Sequence, residues 1–145
     1  MVITIFVVFL YDKNRTSMNN HEIKPTAAEL EVLQVLWKYQ SATVRFVHDK
    51  IHKKKNVGYT TTLKIMQNMA AKNMVTREQQ GKSHVYIPLL KKEKTQGLLL
   101  DKFLDSTFGG SASSLVMQVL GKHRTSPEEL NKIKQLIKKL EDGKQ

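Results

Sequence analysis

The sequence predicts a mostly α-helical protein that carries one small β hairpin, followed by a second helical module. Three observations support this class. Apolar residues recur at helical spacing from Leu30 to Trp37. The tract from Val57 to Pro88 has the pattern of a helix followed by two short alternating β runs. A second series of capped amphipathic segments then begins at Lys91.

Length and charge limit the classes of protein that the chain can form. A chain of 145 residues suits one domain or two small ones, and a module of about 60 to 80 residues buries only a marginal core, so oligomerisation is expected. Lysine and arginine number 24 against 13 aspartates and glutamates, a net charge of +11. This excess favours a polyanion, with nucleic acid as the first candidate and an anionic membrane surface as the second. The absence of cysteine excludes disulfides, thiolate metal sites and cysteine nucleophiles.

The first twenty residues differ in composition from the rest. Val2 to Tyr11 is almost entirely apolar, but it is shorter than the roughly 20 residues of a membrane span and lacks the flanks of a signal peptide. We interpret residues 1–17 as a translated stretch upstream of a start at Met18; an added β strand or docking arm and a membrane-surface tether are the alternatives. The predicted domains cover residues 1–20, an atypical extension, then 21–90 and 91–145.

Two capped helices are predicted at the start of the first domain. Thr26-Ala27-Ala28-Glu29 has the form of a capping box, and the helix that it begins should run to about Lys38. A short turn follows, and Thr43 is a suitable N-cap for the second helix, which has an apolar stripe of Val44, Val47 and Ile51. Gly58 then suits a left-handed or tightly turned backbone.

The third helix is predicted to begin near Thr60 or Thr61 and to end at about Asn73. A helical wheel separates an apolar side, which includes Met66 and Met69, from a polar and mostly uncharged side. Such a surface suits the edges of DNA bases, because Lys, Gln, Asn and Thr each match a base-edge pattern. An ordinary solvated face is the alternative. The predicted base-contacting residues are Thr60, Thr61, Lys64, Gln67 and Asn68.

The two β runs are predicted over Met74–Glu78 and Ser83–Leu89, with a polar link that contains Gly81. A polar helix followed by a basic hairpin is the outline of a winged helix-turn-helix. Basic side chains on such a wing can pair with phosphates without reading the sequence, although the wing can also be purely structural. The predicted backbone contacts on the wing and its flanks are Lys55, Tyr59, Arg77, Lys82 and His84.

The second domain is predicted to be a helical dimerisation module. One helix should run from Lys91 to Phe108, a second should start after Ser111 and close at Gly121, and a third should start at Ser126. Together they carry more apolar surface than a thin winged domain could cover; folding back onto that domain in a monomer is the alternative. The predicted dimerisation residues are Leu99, Phe103, Leu104, Phe108, Leu115, Leu130, Ile133, Leu136, Ile137 and Leu140.

Several motifs follow one another in a specific order: Pro25-Thr26, Glu29–Leu33, Val57–Lys64, Gly81, His84–Tyr86 and Phe108–Ser111. In this order, over about residues 23–140, the chain resembles the BlaI/MecI/CopY family of bacterial penicillinase repressors. The resemblance implies a cytoplasmic winged-helix repressor that dimerises through its C-terminal helices and covers a palindromic operator. It also implies that Thr60, Thr61, Lys64 and either Gln67 or Asn68 lie in the major groove of double-stranded DNA.

The resemblance also bears on regulation. In family members that answer β-lactams, a membrane sensor triggers proteolysis in the dimerising region, and the corresponding position here gives Lys102 and Phe103 as candidate cleavage residues. Copper-responsive members carry a C-terminal cysteine cluster, which this chain lacks, so copper sensing is not expected. No small-molecule ligand and no cofactor is predicted.

Enzymatic and metal chemistry find little support in the sequence. His48 and His52 lie four residues apart, but no third ligand has suitable spacing. No paired carboxylates or partnered nucleophile are evident, and Gly109-Gly110 lacks the residues of a phosphate loop. The chain is therefore not predicted to be an enzyme. The alternatives to a repressor are a winged-helix module that binds protein and a nonspecific DNA-binding protein.

Overall fold

The computed structural model describes residues 23–143, so the interpretations of the extension before Met18 lie outside it. The prediction of a mostly helical protein with a small β wing is confirmed, and the first part of the chain is a winged helix. The elements in order are α1 (Ala27–Tyr39), β1 (Ala42–Thr43), α2 (Val44–His52), α3 (Tyr59–Ala71), β2 (Val75–Gln80), β3 (Ser83–Pro88), α4 (Lys92–Phe108), α5 (Ala112–Lys122) and α6 (Pro127–Glu141).

Local capping signals set the starts of the helices. At α1 the Thr26 amide donates to the Glu29 carboxylate at 2.9 Å, and the Glu29 amide donates to the Thr26 hydroxyl at 3.2 Å. The same reciprocal box, between Ser126 and Glu129, starts α6. The Thr43 hydroxyl accepts from the backbone of the first turn of α2. These caps satisfy backbone donors that have no partner within the helix, as the sequence predicted.

The third helix differs at both ends from its prediction. It begins at Tyr59, and Gly58 is its N-cap with an extended backbone (φ −73°, ψ 151°), so the left-handed or tightly turned conformation predicted for Gly58 is wrong. The helix ends at Ala71, two residues before the predicted end. Asn73 there adopts φ 59°, and the Met74 amide donates to the Met69 carbonyl at 2.9 Å. This is a Schellman motif, with an asparagine in the left-handed position that glycine usually fills.

The sheet has three antiparallel strands in the order β1-β3-β2. The two-residue strand β1 was not predicted; Ala42 pairs with Tyr86, where the sequence indicated a turn. Strand β2 ends two residues later than predicted, because Gln80 pairs with Ser83. The predicted four-residue link is therefore a two-residue loop, and Gly81 in that loop has a φ of 62° that favours glycine.

The core of the first part lies between the three helices and the sheet. Its largest fully buried side chains include Tyr86, Leu33, Leu36, Met66 and Met69. The methionines act as core residues, as predicted. Trp37 and Leu90 are partly buried against this core. The Trp37 indole donates to the Leu90 carbonyl at 2.8 Å and so connects the end of α1 to the segment after β3.

The contacts divide the chain into two compact units, one that ends at Gly97 and one that begins at Leu98. The division falls within α4, and the domain boundary predicted after residue 90 stays a prediction. Neither α5 nor α6 contains a buried residue. Gly121 lies inside α5, which continues to Lys122, so the prediction that Gly121 closes this helix is wrong. Among residues 23–143, no helix combines the length and apolar character needed to cross a membrane.

A partly buried ion pair joins α1 to the end of α3. The Lys72 ammonium lies 2.6 Å from Glu29, whose side chain is 6% exposed. Burial raises the pKa of the Glu29 carboxyl. The hydrogen bond from Lys72, the hydrogen bonds from the Thr26 amide and hydroxyl, and the positive charge of Lys72 lower this pKa, and together they outweigh the effect of burial. The pKa of Glu29 therefore lies below its ordinary value of 4.5. The ionised carboxylate stabilises the folded state.

We predict that Glu29→Gln lowers the free energy of unfolding by about 1–2 kcal/mol near neutral pH. Because the folded-state pKa is depressed, this contribution is fully present above the unfolded pKa and is lost as pH falls through the folded pKa. Urea denaturation at a series of pH values measures it. Glu31→Gln removes the more exposed ion pair with Lys55 and should cost less than about 0.5 kcal/mol. Equal losses in the two variants would contradict the prediction.

Candidate nucleic-acid interface

The outward face of α3 includes the five predicted base-contacting residues. Thr60, Thr61, Lys64, Gln67 and Asn68 are all exposed, whereas the opposite side is buried against the core. Helical periodicity produces this division, because the apolar positions follow the core at three- and four-residue spacing. That these side chains are exposed is an observation; that they contact DNA stays a prediction.

The five side chains of this face are not tied to other groups. Within residues 23–143, none of them takes part in a side-chain hydrogen bond or an ion pair. By contrast, the neighbouring Thr62 is buried and its hydroxyl donates to the Gly58 carbonyl at 3.4 Å. The exposed face therefore offers donors, acceptors and threonine methyl groups to an external partner, which is the combination that base edges match.

The flanks of α3 carry two further predicted residues. Tyr59 is its first residue and is 41% exposed. Lys55, in the preceding loop, forms an ion pair with Glu31 of α1. Its side chain is 62% exposed. A DNA phosphate can therefore approach the Lys55 ammonium, but it would compete with the Glu31 carboxylate.

The wing presents the remaining predicted contacts. Arg77, Lys82 and His84 are all exposed. Arg77 pairs with Tyr86 across the hairpin, and His84 lies two residues from Tyr86, so Arg77 and His84 share one face of the wing. Lys82 is in the two-residue loop. The wing thus presents two basic side chains at or beside its loop, Lys82 and His84, and a third, Arg77, in the middle of β2. Phosphate pairing with these side chains would orient the protein without reading sequence.

Sequence reasoning missed an aromatic and basic cluster at the surface of α2. The Arg45 guanidinium carbon lies 5.3 Å from the centroid of the Tyr59 ring, and the His48 ring stands edge-on to that ring at 5.6 Å. The residues are distant in sequence, and no local pattern joins them. Within the described part of the chain, no three His, Cys, Asp or Glu side chains come together as metal ligands would.

A second cluster joins the end of α1 to another face of α2. The Tyr39 and Phe46 rings meet edge to face at 4.9 Å, and the Lys50 ammonium lies 5.0 Å and 5.1 Å from their centroids. The hydrogen bond from Lys50 lowers the pKa of the Tyr39 phenol below its ordinary value of 10.0. The spacing of Phe46 and Lys50 by one helical turn is the only sequence signal that could have indicated this contact.

The second unit exposes five of its ten predicted dimerisation residues and leaves the other five half-buried. Leu136 is 57% exposed and Leu140 56% exposed, and of the α6 stripe only Ile133 is half-buried. The centroids of the Phe103 and Phe108 rings of α4 are 5.6 Å apart. Four apolar residues outside the predicted dimerisation set are exposed as well, namely Leu100, Val116, Met117 and Val119. A unit with this much open apolar surface has the character of one side of an interface.

Three helices, a short third strand and a two-stranded wing, with the polar face of the third helix open, define a winged-helix protein of the DNA-binding type. The model of the penicillinase repressor family matches residues 25–139. The chain belongs to this family. The members of this family are transcriptional repressors, not enzymes, so the chain is a DNA-binding transcriptional repressor. Its assembly, its operator and its release stay predictions.

Curated relatives align over most of the chain. The transcriptional regulator BlaI of Mycobacterium tuberculosis is 26% identical over 117 residues, which cover 79% of this chain and 83% of that protein. The penicillinase repressor of Bacillus licheniformis is 25% identical, with coverages of 81% and 91%. The methicillin resistance regulatory protein MecI of Staphylococcus aureus is 20% identical, with coverages of 84% and 99%.

Similar solved structures include the DNA-binding domain of the repressor BlaI, with 24% identity and a TM-score of 0.43. It covers 48% of this chain and 90% of that one. Another is the Bacillus licheniformis BlaI monomeric form in complex with the blaP half-operator. This structure has 24% identity and a TM-score of 0.44, and it covers 49% of this chain and 87% of that one.

Proposed function

We propose that two copies of the chain bind a palindromic operator in double-stranded DNA, with the exposed face of each α3 in the major groove of one arm. The observation that supports this most directly is that Thr60, Thr61, Lys64, Gln67 and Asn68 are exposed and unengaged by other side chains. Lys can donate to guanine, Gln and Asn can pair with adenine, and a threonine methyl can contact thymine. Arg77, Lys82 and His84 on the wing then fix the register through phosphates.

Dimerisation gives this interface its specificity. A single winged helix contacts too few bases and phosphates to select one site in a genome, whereas two helices about one DNA turn apart, or a multiple of it, read both arms of an inverted repeat. The open apolar stripe of α6 supports a self-complementary interface, because Leu130, Ile133, Leu136, Ile137 and Leu140 all lie on it. Leu99, Phe103, Leu104, Phe108 and Leu115 extend the proposed contact onto α4 and α5.

Repression then follows from occupancy of the operator. A dimer bound at its own promoter region blocks RNA polymerase, and its action is in the bacterial cytoplasm because the operator DNA is there. The expression of a reporter gene placed downstream of that region should fall when the protein is expressed. A reporter that stays silent with or without the protein would count against this step.

Lys64→Ala tests the groove assignment. A nuclease footprint on the DNA upstream of the gene, combined with affinities for operator and scrambled duplexes, is the measurement. We expect Lys64→Ala to weaken operator binding roughly tenfold, because one base-edge contact contributes about 1–3 kcal/mol of discrimination. Binding to scrambled DNA should change much less. Lys132→Ala, which removes a lysine from the exposed surface of α6, is the matched control and should leave the footprint unchanged.

The same experiment separates the alternative functions. A nonspecific DNA-binding protein would bind operator and scrambled duplexes equally and lose affinity steeply with salt. A winged-helix module that binds protein would show no salt-dependent DNA affinity. Either outcome for the wild-type protein would contradict the proposed operator binding.

For the inducing signal we propose the β-lactam route, in which a membrane sensor pathway leads to cleavage near Lys102 and Phe103. Both residues are exposed, but they lie in the interior of α4, so the helix must unwind locally before a protease can accept an extended strand. Cleavage here would separate the winged unit from most of the second unit and so remove the benefit of dimerisation. Full-length protein that persists in cells derepressed by a β-lactam would contradict this route.

A further inference from the structure

The Tyr59 ring contacts two basic side chains of α2. The guanidinium carbon of Arg45 is 5.3 Å from the ring centroid, and the His48 ring stands edge-on to it at 5.6 Å with an interplanar angle of 78°. Tyr59 is 41% exposed, so the contact is at the protein surface. The cluster therefore connects the surface of α2 to the first residue of α3.

The next turn of α2 supports this cluster. The rings of His48 and His52 are 5.2 Å apart, and Nδ1 of His52 donates to the Val57 carbonyl oxygen at 3.0 Å. Arg45, His48 and His52 are spaced by three and four residues, so they share one face of α2. That face is directed at the segment that leads into α3.

Arg45 has no carboxylate partner in the described part of the chain. Asp49 lies one turn further along α2, but the ion pairs found within residues 23–143 engage Glu29 and Glu31 with lysines elsewhere. The first turn of α3 contains no acidic residue. The guanidinium donors are thus held beside the start of α3 and remain available to an external anion.

We propose that Arg45 binds a phosphate of the DNA backbone next to the bases that α3 reads, and that Tyr59 is a positioning residue for its guanidinium. This inference rests on the proposed function, because it requires α3 of the same protomer to lie in the groove. A guanidinium matches phosphate oxygens through its planar fork and also stacks on aromatic rings. The contact with the Tyr59 ring restricts the arginine before DNA arrives, so less side-chain entropy is lost on binding.

The proposal predicts a contact that contributes affinity but no base preference. A phosphate contact carries no sequence information of its own, so its loss weakens binding to operator and scrambled duplexes by the same factor. Each phosphate contact also releases condensed counterions. When one such contact is lost, the slope of log affinity against log salt concentration becomes shallower by about 0.9. A purely structural role for Arg45 would leave this slope unchanged.

The test is a salt series of DNA affinities for Arg45→Gln, Tyr59→Phe, Tyr59→Leu and the double variant Arg45→Gln/Tyr59→Leu. Arg45→Gln should weaken both duplexes roughly three- to tenfold at about 0.1 M salt and reduce the slope by about 0.9. Tyr59→Phe keeps the ring beside Arg45 and removes only the phenol hydroxyl, so it should weaken binding less than Tyr59→Leu does. Tyr59→Leu should lose part of the affinity, and Arg45→Gln should then cost less in that background than in the wild type.

Two further variants keep the test decisive if Tyr59→Leu fails to fold. Arg45→Lys retains the charge but not the planar fork, so it should restore the slope and only part of the affinity. Lys50→Gln removes a cation of the same helix that contacts the rings of Tyr39 and Phe46 instead, and it should leave the slope unchanged.

An unchanged slope in Arg45→Gln, or an equal change in Lys50→Gln, would overturn the inference. Independent, additive effects of Arg45→Gln and Tyr59→Leu would overturn the positioning role of Tyr59. A wild-type protein that does not distinguish operator from scrambled DNA would instead overturn the proposed function. The failure of the inference and the failure of the proposed function are therefore separate results.

Discussion

Replacing Ile137 with glutamate is expected to convert the proposed dimer to a monomer and to lower operator affinity by more than 100-fold. Ile137 lies on the apolar stripe of α6 and is 48% exposed in the single chain. Burying an isoleucine side chain contributes about 1.5–3 kcal/mol, and a buried unpaired carboxylate adds a further cost. In a two-fold symmetric interface each substitution occurs twice. The free energy of dimerisation should therefore become less favourable by at least about 4 kcal/mol.

Sedimentation velocity at micromolar concentration measures the change in oligomeric state, and a titration with operator DNA measures the change in affinity. Gln135→Glu is the matched control, because it adds the same charge to an exposed position on the opposite side of α6. This control should remain dimeric. An Ile137→Glu variant that sediments as a dimer, or a wild-type protein that sediments as a monomer, would refute the proposed interface.

Leu33→Ala is expected to have the largest effect on the stability of the winged unit. Leu33 is fully buried, with 0% exposure, at the centre of the cluster formed by α1, α2, α3 and the sheet. Truncating a buried leucine to alanine costs about 2–5 kcal/mol, because apolar contacts are lost and the cavity closes only in part. A domain of this size has a total stability of only about 5–10 kcal/mol. The variant should be close to unfolding at 37 °C.

Urea denaturation followed by circular dichroism measures this loss. Gln34→Ala, at the exposed neighbouring position of α1, is the control and should change the free energy of unfolding by less than about 0.5 kcal/mol. A loss below about 1 kcal/mol in Leu33→Ala would mean that the helices do not share the core described above.

Local signals account for the parts of the fold that the sequence predicted well. The capping boxes at Thr26 and Ser126 need only residues three positions apart. The outward face of α3 follows from helical periodicity, which depends on which positions must face the core. These features are specified within one or two helical turns, so they can be read without knowing the tertiary structure.

The features that the sequence did not indicate depend on long-range contacts or on backbone choices. Strand β1 exists because Ala42 meets Tyr86 of β3, and two residues alone carry no strand pattern. Gly58 can adopt many backbone conformations, and only the start of α3 shows that it takes an extended one. Arg45 and Tyr59 belong to different helices, so their contact depends on how α2 and α3 pack.

The stoichiometry of the protein on operator DNA tests the central claim most directly. Sedimentation equilibrium can compare a duplex that contains both arms of the footprinted repeat with a duplex of equal length in which one arm is scrambled. We predict two protomers bound in one cooperative step to the intact repeat, with at least 100-fold weaker binding to the one-armed duplex. A single protomer on each duplex, bound with equal affinity, would contradict the claim that two copies read the two arms together.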